Sequence, residues 1–89
     1  MGTVAVTLKI MPVSPEVDLE TMKKKIEDSL SKFDYAKLEQ IDEKPVAFGL
    51  ISLSVLFTMP DSGGTDEIEK ALSSIENVES VETENVTLL

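Results

Sequence analysis

Residues 45–50 read Pro45-Val46-Ala47-Phe48-Gly49-Leu50, and they open onto the longest apolar run of the chain, Leu50 to Met59. Proline fixes φ and cannot donate to a sheet ladder, whereas glycine reaches backbone angles closed to other residues. Set around a lone phenylalanine, the two predict an ordered elbow that delivers Phe48 to the mouth of a strand. Beyond it, Ile51, Leu53, Val55, Phe57 and Met59 alternate with Ser52, Ser54 and Thr58. A period of two with one apolar face is a half-buried strand, here the clearest in the chain, with Leu56 the one apolar residue on its outer face. A strand–helix–strand unit lies on either side, so the elbow is the pivot of the chain.

Upstream, Val4, Val6, Leu8 and Ile10 alternate with Ala5, Thr7, Lys9 and Met11, a first strand ended by Pro12 and a turn at Ser14-Pro15. Asp18 is a good N-cap, and Val17 with Met22 can staple across it. Leu19, Met22, Ile26, Leu30 and Phe33 then keep helical spacing. The run Lys23-Lys24-Lys25 splays over more than half the helix circumference, which predicts a solvated face rather than a phosphate site. Ala36 to Glu43 is a weaker strand, and Leu38 and Ile41 break its alternation, so a bulge or irregular edge is expected.

After the elbow and its strand, Pro60-Asp61-Ser62-Gly63-Gly64 is a loop. A second helix starts near Thr65, with Asp66, Glu67 and Glu69 in its first turn, a stripe of Ile68, Ala71, Leu72 and Ile75, and Asn77 as its close. An acidic first turn and the lack of a following lysine–serine/threonine pair argue against a nucleotide-binding loop at the glycines. Val78 to Leu88 is the last strand. The order β-α-β-β-α-β with right-handed crossovers gives a four-stranded antiparallel sheet, order 4-1-3-2, with both helices on one face. That is the ferredoxin-like α+β sandwich, and 89 residues make it one domain, residues 1–89.

Composition narrows the chemistry. The chain has no cysteine and no histidine, so thiolate and imidazole metal sites and the commonest general base are excluded. All eight basic residues are lysine, so no guanidinium clamp is available. Carboxylate, lysine and hydroxyl remain, a thin kit for an enzyme, and the isolated chain is expected to turn over no substrate and to need no cofactor or metal. The net charge is −9, unevenly placed: residues 1–45 hold seven lysines against nine acids, and residues 46–89 hold Lys70 against eight acids. Such a field repels phosphate backbones and attracts a basic protein surface, so the expected partner is protein, not nucleic acid. No signal peptide or membrane-spanning run is read, and a cytoplasmic protein is expected. The sheet face away from the helices, with Thr7, Lys9, Ser52, Ser54 and Thr58, is polar enough to predict a monomer.

Many functions share this architecture, and several are excluded here. An RNA-binding version needs aromatics on its central strands and a basic face. A metal-carrying version needs a Cys-x-x-Cys loop, and a metabolite-binding regulatory version accompanies a catalytic domain. The motifs that remain are Met11-Pro12, Ser14-Pro15, Val17-Asp18-Leu19-Glu20, Glu43, Pro45, Ala47-Phe48-Gly49-Leu50, Gly63-Gly64-Thr65, Ile75-Glu76 and Val78-Glu79-Ser80-Val81-Glu82. In this order and spacing, over essentially the whole chain, they resemble the archaeal elongation factor 1 beta family, the stand-alone guanine-nucleotide exchange domain of translation. The resemblance implies a partner, the GTPase elongation factor 1 alpha in its GDP-bound and nucleotide-free forms, and an activity, release of GDP from it.

By matching position, Phe48, held by Pro45 and Gly49, is the residue the family pushes into the GTPase near its magnesium and switch region. Read from composition alone, Phe48 would instead close the bottom of the core. Related domains end in a short strand with a basic side chain aimed at the magnesium, and here the sequence departs: no cation follows Lys70, and Thr87 and Leu88 stand where one is expected. Either another lysine reaches the site, Lys9 or Lys44 being candidates, or magnesium loss relies on Phe48 alone, or this member exchanges slowly or serves another partner. The alternative to exchange is a small acidic interaction domain that binds a basic partner without promoting it.

Overall fold

The alternating strands and striped helices appear in the computed structural model as β1 (Thr3–Pro12), α1 (Leu19–Ser31), β2 (Lys37–Pro45), a tight turn at Ala47–Gly49, β3 (Ile51–Pro60), α2 (Asp66–Ser73) and β4 (Val78–Leu88). The structure describes residues 2–61 and 64–89, so Met1 and, from the expected loop, Ser62 and Gly63 lie outside the described residues. The four strands form one sheet in the order β2-β3-β1-β4, every pair antiparallel, which is the expected order seen from the other edge. The ferredoxin-like α+β sandwich is the observed architecture. Among the described residues no helix is long and apolar enough to cross a membrane.

One face of the central pair makes the core. Val6 lies opposite Phe57, Leu8 opposite Val55 and Ile10 opposite Leu53, and none of the six is exposed. Met22, Ile26 and Leu30 from α1 and Ile68 and Leu72 from α2 cover this face, with Met59 completing the cluster. In β2 the pairing shifts between Leu38 and Gln40. The extra residue, Glu39, lets Leu38 meet Phe57 and Ile41 meet Val55 on the same face although three positions separate them.

Two helix ends differ from the sequence expectation. α1 stops at Ser31, and Phe33 follows its cap; Lys32 N–H donates to Ser29 C=O (3.3 Å) and Phe33 N–H to Leu30 C=O (3.0 Å), a tightened last turn that keeps Phe33 packed against the core. α2 ends at Ser73, and Asn77 lies in the turn into β4 with φ 73°, a left-handed conformation asparagine tolerates. Asp18 caps α1 as expected. Thr21 Oγ1 donates to Asp18 Oδ2 (2.7 Å) and Glu20 N–H to Asp18 Oδ1 (3.1 Å).

Phe57→Ala is expected to destabilise the protein by about 3–5 kcal/mol, a large part of the total for a domain of this size, read as a shifted urea midpoint. The Thr21 hydroxyl, with smaller help from backbone N–H groups, holds the Asp18 carboxyl below the ordinary carboxylate range against the opposing effect of desolvation. The folded pKa is therefore the lower one, so the charged cap stabilises fully above about pH 4 and is lost as pH falls through the folded value. Thermal melts from pH 6 to about pH 2 should show the advantage of the wild type over Asp18→Asn shrinking with acid.

Candidate functional site

Sequence chemistry at the elbow produces a turn that breaks two local rules at one residue. Leu50 N–H donates to Ala47 C=O (3.2 Å), and Val46 N–H donates to Leu50 C=O (2.8 Å). Between them Phe48 has φ 61° and ψ 29°, and Gly49 has φ 76°. Two successive left-handed residues closed by this bond are the signature of a type I′ turn, whose first central position favours Asn, Asp or Gly. A phenylalanine there carries a backbone cost of roughly 1–2 kcal/mol. Its ring gains nothing in return from the core, because Phe48 is 94% exposed, the most exposed large apolar side chain described. Strain together with an exposed aromatic sets Phe48 apart from every residue the fold uses for packing. Gly49 is required by its φ rather than by crowding: a Cβ there would stand 4.0 Å from Pro15 Cβ.

The elbow is mounted from both faces of the sheet. Glu43 lies opposite Leu53, on the helix side, and Lys23 Nζ of α1 donates to Glu43 Oε2 (2.6 Å) and to Glu20 Oε1 (3.4 Å). The bond to Glu43 holds the Lys23 ammonium above the ordinary lysine range. On the other face Ser52, 3% exposed, donates its hydroxyl to Lys44 C=O (3.1 Å). The lysine run is thus only partly a solvated face: Lys24 is exposed, but Lys23 is bound to Glu43 and Lys25 pairs with Glu76 (3.6 Å). Sequence reasoning missed the role of Lys23. The spacing Glu20–Lys23 is that of a helical i, i+3 pair, but nothing in the sequence points to the link to β2.

The expected site residues fall into two groups. Pro45 lies opposite Ile51, and Lys44 opposite Ser52, beside the turn. Lys9 lies one row inward on the same outer face, opposite Ser54 in β3 and Glu82 in β4. Thr87 and Leu88 lie opposite Ala5 and Val4, in line with Thr58 and Met59 at the far end of β3. Seven residues of strand separate Ile51 from Thr58, about 23 Å. Lys9 is four strand positions from Ala5, roughly 13 Å, further than its side chain reaches, so it does not stand in for a cation at Thr87. Leu88 itself is 68% exposed, next to Leu89 at 71% and near Val86 at 53%.

Residues 5–89 match the family described as the EF-1 guanine nucleotide exchange domain. The chain belongs to that family. The chain is 48% identical to "Elongation factor 1-beta" of Methanocaldococcus jannaschii over 99% of both chains. It is 46% identical to the protein of that name from Natronomonas pharaonis over 97% of both. With the one from Methanothermobacter thermautotrophicus it shares 44% over 100% of this chain and 99% of that one. Membership of this exchange-domain family is what the ordered motifs along essentially the whole chain implied. Two solved structures share the fold at low identity. The ACT domain from GTP pyrophosphokinase of Chlorobium tepidum superposes with a TM-score of 0.64 at 16% identity, covering 90% of this chain and 96% of that one. The C-terminal domain of the MgtC protein from Mycobacterium tuberculosis gives 0.62 at 18%, covering 100% and 88%. At such identities the likeness is one of architecture only.

In this exchange domain, Phe48→Asn is expected to raise stability by about 0.5–1 kcal/mol, since asparagine fits the left-handed position and no buried surface is lost. Gly49→Ala should lower it by about 1 kcal/mol although the added methyl would meet only an ordinary contact with Pro15. Urea unfolding of both variants checks the pair, and opposite signs are the expected result.

Proposed function

We propose that this chain, working as one exchange domain and as a single copy, releases GDP from the translational GTPase elongation factor 1 alpha, with Phe48 as its anchor. The observation that carries the reading is the exposed ring on a strained, doubly mounted turn, in a member of the guanine-nucleotide exchange family. Exchange breaks no bond in the nucleotide, so it asks for no acid, base or resident metal. The factor has only to bind the nucleotide-free GTPase more tightly than the GDP-bound form, and each decade of that difference weakens GDP binding by about 1.4 kcal/mol. A ring entering a water-free pocket is a suitable source of such a difference.

The two groups of site residues can serve one partner. A standard interface covers about 800 Å² on each side, roughly 30 Å across, wider than the stretch of β3 between the elbow and the row of Thr87. A GTPase lying along the outer sheet face would meet Phe48 and Gly49 at one end, Lys44 and Lys9 beside them, and Thr87 at the other, with Pro45 and Leu88, which fall on the helix side of their strands, reached only at the rim. With no ammonium at the tail, displacement of the partner's magnesium falls to Phe48 or to the lysines at the elbow end. The acidic field speeds encounter with a basic protein surface and disfavours direct nucleic-acid binding.

Release of fluorescent GDP from the GTPase, followed with and without this protein and with Phe48→Ala, tests the reading. Acceleration by the wild type, reduced about 30-fold by the substitution, is the expected result for an anchor of hot-spot strength. Acceleration untouched by the substitution would remove Phe48 from the mechanism. Binding without acceleration would identify an acidic interaction domain whose tail lacks the cation exchange needs.

A further inference from the structure

β2 runs into the elbow without a core contact to steady it. Its half-buried residues are Leu38 and Ile41; every position from Asp42 to Pro45 is exposed, and no residue of the turn at Ala47–Gly49 is buried. As an edge strand it is bonded to β3 alone. Beside the backbone ladder to β3, two side-chain contacts among the described residues hold Glu43 and Lys44 from outside β2: the Ser52 hydroxyl on Lys44 C=O, and the Lys23 ammonium on Glu43. The second differs in reach, because of these two it is the one that ties the end of β2 to a helix. Lys23 is well suited to it, with its side chain 23% exposed and its charge shared between Glu43 and Glu20.

We infer that Lys23 and Glu43 are positioning residues of the elbow, a clamp from α1 to the end of β2 that fixes the direction in which Phe48 is presented. The functional half of this inference rests on the exchange reading above; the structural half does not. Exposed ion pairs are weak, typically changing an equilibrium by about two- to fivefold. In the core such a factor would vanish against apolar burial, but at the end of β2 it adds to backbone bonds alone, the ladder to β3 and the two bonds of the turn, with no buried side chain behind them. A ring presented in one direction loses less freedom on docking, so the clamp acts on productive encounter with the partner rather than on global stability.

The experiment compares wild type, Lys23→Met, Glu43→Gln, the double variant, Lys23→Arg, and Lys25→Met as a control that breaks the Lys25–Glu76 pair elsewhere. Hydrogen exchange of the Val46 and Leu50 amides, both bonded within the elbow, is read against that of Val6 and Val55 in the central strands, with GDP release measured in parallel on the GTPase. The clamp predicts two- to fivefold faster exchange at Val46 and Leu50 alone in Lys23→Met and Glu43→Gln, and no further loss in the double variant. Lys23→Arg and Lys25→Met should match wild type. It also predicts a two- to fivefold lower kcat/KM for GDP release in the same variants, with kcat at saturating factor unchanged. Unaltered elbow amides would overturn the clamp whatever the release assay shows. Loosened amides with unaltered release would overturn its role in presenting Phe48. If the wild type itself releases no GDP, the exchange reading fails, and the amide data alone decide whether the clamp exists.

Discussion

The register of β1 against β3 is the constraint on which the rest of the structure depends. Leu8 faces Val55, flanked by Val6 with Phe57 and Ile10 with Leu53, and both helices pack on that single apolar face. A slip of β1 by one residue would turn Val6, Leu8 and Ile10 outward and bring Thr7 and Lys9 toward the core, so the pairing admits one solution. The edge strands inherit it, since β2 is bonded only to β3 and β4 only to β1. Ile41 opposite Val55 and Val86 opposite Val6 carry the register to the two edges. It follows that the elbow emerges at the Ile51 end of the sheet and the tail finishes beside Ala5 and Val4, in the row of Thr58, with their separation along the strands set by the length of β3.

Within that frame the chain spends its two central-strand and elbow phenylalanines differently. Phe57 is fully buried and belongs to the fold, whereas Phe48 is fully presented and held in a conformation its side chain disfavours. The strain persists because both flanks over-determine it: Pro45 opposite Ile51 and Val46 N–H on Leu50 C=O leave the three residues between them no extended path. A folding requirement alone would have put asparagine at position 48. The choice of phenylalanine is not explained by folding, which is what the proposed anchoring role builds on.

Much of this was open to the sequence, and what was hidden has a physical reason. Alternation at Val4–Ile10 and Ile51–Met59 disclosed the central strands, because one buried face leaves a period of two. The out-of-step pair Leu38 and Ile41 disclosed a bulge, because both must reach the same core. Proline and glycine around Phe48 disclosed an elbow, but not that the phenylalanine itself would take a positive φ, since propensity points to Gly49 alone. The helix ends were blurred at Phe33 and Asn77, where a tightened turn and a left-handed residue prolong an apolar pattern past the helix proper. The Lys23–Glu43 contact joins residues 20 apart in sequence, and three adjacent lysines give no sign of which one turns toward the sheet. The division of the site between elbow and tail needed the register as well as the strand order.

That division bears on how exchange can be driven in the proposed role. Coupling is reciprocal: the factor weakens GDP binding by the factor to which GDP weakens the factor's own. The energy must come from contacts that the nucleotide-free GTPase makes and the GDP-bound form does not. An ammonium at the tail would have contributed by competing for the ligands of magnesium, and the segment Glu84–Leu89 has none. Full burial of a phenylalanine contributes about 1.5–3 kcal/mol, enough for one to two decades of differential affinity. Such a term is apolar and nearly insensitive to salt, whereas the attraction exerted by a net charge of −9 is screened over about 8–10 Å at physiological ionic strength. The two halves of the proposed mechanism therefore separate by physics as they do in space: charge governs how often the partners meet, and the ring at the elbow governs what the meeting does to the nucleotide.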